Sequence, residues 1–337
     1  MKSVKINDIA RELGLSRNTV SKVLNGKHVP EKTKKLVLDK ANELNYKQMS
    51  QDTSYKFNLL MLSAKPLTNI NFFIPIIRTI ENICYEKGHQ LFQYVCSDRI
   101  NSEAFLKEYV KSLNIHGIIC IETFSNSFAE MVISLGVPVV FLDAPTHINI
   151  ESNNYDIVMQ DNYKTISTLV RQLHSKGVNS FGFVGDINHC LSFMERYQAM
   201  LIGVGLCKIN HDYEYDFLNE DNSEFYQNMN YMIKEIKRKK HLAKAYICAN
   251  DFVARTFVNA LASIGIKCPE DIKIVGYDNS VESRNRKPTL TTVSVDTDEI
   301  GKALVDALIS KIKHFRTSKI KIIVNANIVE RESTEIK

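Results

Sequence analysis

Gly14-Leu15-Ser16-Arg17-Asn18-Thr19-Val20-Ser21-Lys22-Val23-Leu24-Asn25-Gly26 is the stretch on which the reading of this chain turns. Ser16 stands where an N-cap would, its hydroxyl able to accept the backbone N–H near Thr19, and Val20, Val23 and Leu24 then make the apolar stripe of a short helix. Upstream, Ile6, Ile9, Ala10 and Leu13 recur at helical spacing, and Gly14 supplies a natural C-terminal stop. Two short helices joined by a Gly-containing turn form a helix-turn-helix unit. Past Asn25-Gly26-Lys27-His28-Val29-Pro30 a third helix is expected over 31–44, burying Val37, Ala41 and Leu44. Three helices close a minimal all-α core in residues 1–47.

The second helix leaves Arg17, Asn18, Ser21 and Lys22 on its outward side. Such side chains reach base edges and phosphates from the major groove, arginine pairing with guanine through two bonds and asparagine with adenine. The plain alternative is a solvated polar face. Charge favours the first reading: residues 1–47 hold 11 Lys/Arg against 5 Asp/Glu, a net +6 within a chain total of +5, so the other 290 residues carry −1. A basic head on a near-neutral body is expected when one end meets phosphates and the other does not.

At 337 residues, with 44% apolar and 24% charged residues, the chain suits a small domain plus a larger two-part body. It lacks an apolar run long enough to span a bilayer, and residues 1–8 show no hydrophobic signal core, so the expected location is the cytoplasm, with no membrane partner. The seven cysteines, 84, 96, 120, 190, 207, 248 and 268, are scattered and never spaced Cys-x-x-Cys. They read as buried or incidental thiols, with no metal site and no cofactor signalled.

The head carries a specific resemblance. Ile6-Asn7-Asp8-Ile9-Ala10, the stretch 14–26 and Glu43-Leu44-Asn45-Tyr46 resemble the head of the lactose repressor/galactose repressor family of bacterial transcription regulators. That resemblance implies base reading by Arg17, Asn18 and Lys22, with Ser16, Thr19, Asn25 and His28 holding the DNA backbone. Lys22 stands where arginine is usual. Residues 48–56 read as a polar connector without periodicity. Relatives usually carry a hinge helix here whose leucine wedges into the minor groove; this connector is shorter, and Met49 is its only candidate wedge, against a flexible tether that leaves the DNA unkinked.

In the body, residues 57–337, short apolar runs alternate with helical stretches. Strands are expected over 57–62, 91–95, 117–121, 138–142, 181–185, 245–248 and 273–277, and helices over 73–87, 101–113, 126–135, 161–176, 192–205, 223–240 and 251–264. Gly88, Gly136, Gly177 and Gly265 each end a helix just before a strand. The expected fold is two doubly wound parallel-sheet lobes, with a change of lobe near 143–156, return crossings near 280–295, and a hinged cleft between them.

In such sheets ligands bind outside the carboxyl ends of the strands. That rule selects Phe72, Phe73, Asp143, Arg196, Asn250, Asp251 and Asp278, fixed hydrogen-bonding groups beside aromatic faces, as a polyhydroxylated ligand requires. Local alternatives stand beside each: Asp251 as a helix N-cap, Asp278 as a turn residue, Arg196 paired with Glu195 or another acid, and the two phenylalanines as plain core. The resemblance extends over the body, which is similar to the periplasmic sugar-binding-protein fold used as a sensor, through 136–143, Ala249-Asn250-Asp251, 268–278 and 288–293. It implies effector contacts at Phe73, Asp143, Arg196, Asn250 and Asp278, with Phe217 in the place of an aromatic that stacks on the effector. Ile70 and Ala144 depart from the family pattern.

The basic tract 234–241 reads as the solvated last turn of a helix. Too few residues follow 333 for a tetramer-forming heptad tail, which leaves a homodimer as the expected assembly. Three functions compete. A regulator on double-stranded operator DNA, controlled by a small polar effector of the carbohydrate class, is the first. A regulator of the same fold whose body answers a partner protein is the second. An enzyme is the third; no Gly-x-Gly-x-x-Gly, Walker-type loop, His-Glu-x-x-His or Gly-x-Ser-x-Gly is present, so no catalytic residue is assigned.

Overall fold

A computed structural model of the chain describes residues 4–24, 29–44, 56–64, 70–96, 102–148, 152, 154–218, 229–314, 316 and 318–335. The head is α1 (Ile6–Leu13), α2 (Arg17–Leu24) and α3 (Glu31–Glu43). Gly14 takes φ 63° and ends α1, its left-handed turn letting the Leu15 N–H reach the Ala10 carbonyl at 2.9 Å. Ile9, Ala10, Val20, Val23, Leu24, Val37 and Ala41 form the buried core, so the apolar spacing of all three helices is spent on one another.

The body runs β1 (Asn58–Ser63), α4 (Ile70–Glu86), β2 (Gln90–Val95), α5 (Glu103–Ser112), β3 (Gly117–Ile121), α6 (Asn126–Ser134), β4 (Val139–Leu142) and β5 (Tyr155–Gln160). It continues through α7 (Asn162–Ser175), β6 (Phe181–Val184), α8 (Leu191–Leu206), α9 (Met229–Arg238), β7 (Ala245–Cys248), α10 (Asp251–Ser263), β8 (Lys273–Val275), α11 (Val281–Arg284) and β9 (Thr292–Val295). Last come α12 (Thr297–His314), β10 (Lys321–Val324) and β11 (Ala326–Val329).

Two parallel sheets result. The first has the order β10-β5-β4-β3-β1-β2, and the second β6-β7-β8, with antiparallel β9-β11 beside it. β1 shows why its sequence is apolar throughout: Leu59 and Met61 pack with α4 and α12 on one face, Leu60 and Leu62 with α5 and α6 on the other. The second lobe repeats the plan, with α9 and α10 on one face and α7 and α8 on the other. Gly88, Gly136, Gly177 and Gly265 take φ of 69°, 81°, 96° and 84°, the left-handed helix ends anticipated from their positions.

The expected two-lobed α/β body is present, but the crossings differ. β5 was not anticipated, and the first crossing was expected near 143–156; instead β5 pairs in parallel with β4, Val139 opposite Tyr155, and stays in the first sheet. The chain changes lobe only after Gln160, returns between β9 and α12, and crosses a third time between β10 and β11. β5 is hidden in the sequence by Asp156, a charge in the middle of a strand. Asp156 is 0% exposed because Lys311 (3.2 Å), Arg316 and the Ile320 N–H (2.9 Å) all reach its carboxylate.

Candidate DNA-reading helix and ligand cleft

At the head, Ser16 caps α2 as its position suggested, accepting the Thr19 N–H at 3.0 Å and sharing a 2.8 Å hydroxyl contact with Thr19. With Val20, Val23 and Leu24 turned inward, Ser16, Arg17, Asn18 and Lys22 are exposed and Thr19 and Ser21 half-buried. Neither Arg17 nor Lys22 forms an ion pair among the described residues. Asn25, His28 and the connector residues 48–55, Met49 included, lie outside the described residues.

Between the lobes, a cleft is lined by Phe72, Phe73, Asp143, Arg196, Asn250 and Asp278, all expected there from the sequence, while Asp251 and Phe217 are not in its lining. Asp143 follows β4 at φ 59°, a left-handed conformation that is costly for a side chain with Cβ. Its Oδ1 accepts the Ala144 N–H at 2.7 Å and, from the other lobe, the Ser192 N–H at 3.1 Å. The Ala144 carbonyl accepts the Leu191 N–H at 2.8 Å, so this loop ties the lobes at the floor of the cleft.

Arg196, on α8 and 2% exposed, is fixed on several sides. Nε donates to Asn162 Oδ1 at 2.9 Å and a terminal nitrogen to the Ala249 carbonyl at 2.5 Å, while the guanidinium lies 3.5 Å from the centre of the Tyr277 ring. Its other terminal nitrogen stands 4.0 Å from Asp278. Glu195 instead pairs with Lys321 and accepts from Asn162 at 2.9 Å, so it is not the partner of Arg196. Asn250 caps α10, its Oδ1 accepting the Val253 N–H at 2.9 Å and its amide NH2 remaining as a donor.

Asp251 does not cap α10, which corrects one local reading. It is 1% exposed, and its two oxygens accept the Ser280 N–H and the Thr292 hydroxyl, each at 2.7 Å. Burial raises its carboxyl to about 6, against the pull of those two hydrogen bonds and of Arg331. Gly276 leaves room for it: a Cβ there would stand 2.1 Å from Asp251 Oδ1. Asp251 therefore holds the turn in which Asp278 and Asn279 take φ of 100° and 52°. It is a positioning residue for the Asp278 carboxylate.

Phe217 is the effector position that the structure places elsewhere. The Phe217 N–H donates to the Phe183 carbonyl at 2.8 Å, adding a bridge beside β6, and the ring turns into the core against Phe257 and Tyr246, 5.4 and 5.9 Å away. At 2% exposure it does not line the cleft. Sequence reasoning also passed over Glu122, Phe124, Gln160, His189, Cys190, Ser192 and Phe193, all in the lining. Signals existed for three: Glu122 directly follows β3, Gln160 ends β5, and Phe193 precedes Arg196 by one helical turn.

Elsewhere, α9 ends in Lys237 and Arg238, and Lys239 donates to the Asp216 carbonyl at 2.9 Å, so the basic tract serves its own lobe. All seven cysteines are free, and burial pushes the Cys84 and Cys96 thiols up to about 11. No described helix is long and apolar enough to cross a membrane.

The family model described as "Bacterial regulatory proteins, lacI family" matches residues 5–48, and one described as "Periplasmic binding protein-like domain" matches 170–334. The head is that of the lacI family of regulators. The chain is a DNA-binding transcription regulator, with this helix-turn-helix head followed by the periplasmic-binding-protein-like body. It is 28% identical over 341 residues to the HTH-type transcriptional repressor PurR of Pasteurella multocida (strain Pm70), covering 98% of each chain. In fold it is similar to the transcriptional regulator CelR in complex with cellobiose, with TM-score 0.70, 19% identity and coverage of 98% and 99%. The lac repressor dimer bound to operator and the anti-inducer ONPF gives TM-score 0.64 at 22% identity, covering 99% and 100%.

Proposed function

We propose that this regulator is a cytoplasmic repressor that binds a pseudo-palindromic operator as a homodimer and changes operator affinity when a small polar effector of the carbohydrate class occupies the cleft. Residues 1–47 would read DNA, 48–56 connect, and 57–337 sense and dimerise. The observation that carries the reading is the convergence of Asp143, Arg196, Asn250 and Asp278, drawn from both lobes and already fixed by their neighbours, on one cleft beside Phe72 and Phe73. Fixed donors and acceptors next to aromatic faces match hydroxyls and ring C–H faces. Because the groups belong to two lobes, a ligand that touches both shifts the balance between open and closed arrangements.

Support for the dimer comes from exposed apolar side chains on each lobe. Ile74 and Tyr85 lie three turns apart on one side of α4 and are 45% and 88% exposed. Phe252 and Val281, at the starts of the contacting helices α10 and α11, are 53% and 47% exposed. A twofold pair of heads demands a twofold operator. The relatives support repression and a sugar-sized effector: the similar PurR proteins are named repressors, and the CelR structure holds cellobiose.

The test is fluorescence anisotropy of a labelled operator duplex, titrated with the full-length protein in the presence of pentoses, hexoses and disaccharides. A sugar that shifts the affinity for the unmodified protein but not for Asp278→Ala supports the reading. Operator binding that no sugar alters overturns the effector half of it and turns the search to proteins that bind the body.

A further inference from the structure

Phe57 and Asn58 are where the chain leaves the connector and enters β1, which lies between β2 and β3 in the first sheet. All four of their backbone groups are taken. The Phe57 N–H donates to His89 Nδ1 at 3.2 Å, and its carbonyl accepts the Gln90 N–H at 2.9 Å. The Asn58 N–H donates to His116 Nδ1 at 3.0 Å, and its carbonyl accepts the His116 N–H at 2.8 Å. His89 and His116 immediately precede β2 and β3, so each flanking strand begins by holding one residue of this root with both an imidazole and a main-chain N–H.

Side chains complete the hold. The Phe57 ring is 6% exposed and contacts both imidazoles, its centre 5.3 Å from that of His89 and 5.6 Å from that of His116. Asn58 Nδ2 donates to the Leu113 carbonyl at 2.7 Å. Lys56 lies along Gly88, where a Cβ would stand 3.2 Å from the lysine Cε. A histidine Nδ1 can accept a hydrogen bond only in the neutral ring. Burial lowers the His89 imidazole below its ordinary range, with the Lys313 and Lys87 cations adding to it. Burial lowers His116 too, the Asn58 backbone pulling the other way by less. Both rings are therefore acceptors at neutral pH. Without them two consecutive N–H groups at the root lose their partners, and the start of β1 is free to fray. A frayed root lengthens the tether and frees the direction in which it leaves the sheet, and both enlarge the volume that a head searches.

We propose that His89 and His116 are positioning residues for DNA binding: their Nδ1 atoms clasp the root of the connector and fix where, and in which direction, each head leaves the body. The proposal rests on the reading of the regulator as a homodimer on a twofold operator, and adds what sets the spacing between its two heads.

The experiment uses the full-length protein at neutral pH and the duplex that it enriches from a randomised pool, with copies of that duplex lengthened at the centre by one or two base pairs. His89→Phe and His116→Phe keep a ring against Phe57 and remove the acceptor. His89→Asn and His116→Asn keep an acceptor near the place of Nδ1 and remove the ring. The Phe variants are expected to bind the enriched duplex about tenfold more weakly, the order of re-ordering one residue's backbone, and to lose most of their preference for it over the lengthened copies. The Asn variants are expected to stay within about threefold of the unmodified protein and to keep that preference. Phe variants that discriminate spacing as the unmodified protein does, or Asn variants that fail as the Phe variants do, overturn the clasp and leave the twofold reading in place. An enriched site without twofold symmetry overturns both. Hydrogen exchange of the unmodified protein decides the matter even if a Phe variant fails to fold: the Phe57 and Asn58 amides are expected to exchange as slowly as those in the middle of β1, and exchange at the rate of an open chain overturns the clasp.

Discussion

Replacing Asp251 with asparagine keeps the shape of a side chain that is 1% exposed and removes its charge. Burial holds the carboxyl up at about 6 in the folded protein. In the unfolded chain it returns to about 3.9. The folded state thus binds this proton more tightly than the unfolded state, so the associated stability is fully present below about pH 4 and is lost as pH rises through about pH 6. A difference of about two pH units, at about 1.4 kcal/mol each, makes the loss about 3 kcal/mol. Asparagine does not titrate, and its new N–H beside Ser280 and Thr292 adds only an offset that pH leaves unchanged. Urea unfolding of both proteins should therefore show the stability difference moving by about 3 kcal/mol in the variant's favour between about pH 4 and pH 7, with all other carboxylates cancelling. A difference that stays flat over that range refutes the desolvated carboxylate as the anchor of the Asp278 turn.

Asp156→Ala should cost about 3–5 kcal/mol in denaturant unfolding, because it strands the Lys311 ammonium, 1% exposed, with part of Arg316 beside it; a loss under about 1 kcal/mol would mean that the cluster is not what ties α12 and β10 to β5. Gly185→Ala places a Cβ 2.4 Å from that of Ala249, whose carbonyl holds Arg196. Roughly 1–3 kcal/mol of stability should go with it, along with effector affinity; an unchanged melting temperature would contradict the close packing there. Asp278→Ala should abolish the effector response while operator affinity without effector stays at the level of the unmodified protein, since the residue touches the ligand cleft and not the head.

What the sequence revealed was what local physics determines. The head is three helices whose start, stop and buried faces are each written within one or two turns: Ser16 as a cap, Gly14 as a stop, Val20, Val23 and Leu24 as a stripe. The cleft was partly legible because parallel sheets put ligands at strand ends, so Asp143, Asn250 and Asp278 could be found from strand boundaries alone. Where strands went unrecognised the same rule failed. β5 carries the buried Asp156, whose partners Lys311 and Arg316 lie more than 150 residues away, and no local window shows that this charge is paired. Gln160, at the end of that strand, went unseen with it. Phe217 shows the opposite error: an aromatic at a plausible position turned into the core, because its backbone bonds to Phe183 and its ring packs with Phe257.

Reading of DNA sequence by α2 of the head would make operator choice depend on Arg17. Selection of duplexes from a randomised pool by the full-length protein, repeated with Arg17→Ala, tests it most directly. One enriched site with twofold-related halves is expected, bound by the variant with an affinity reduced by roughly 1–3 kcal/mol and with relaxed base preference at one position in each half. A pool that yields no enriched sequence, or a variant that selects the same site with unchanged affinity and preference, would contradict it.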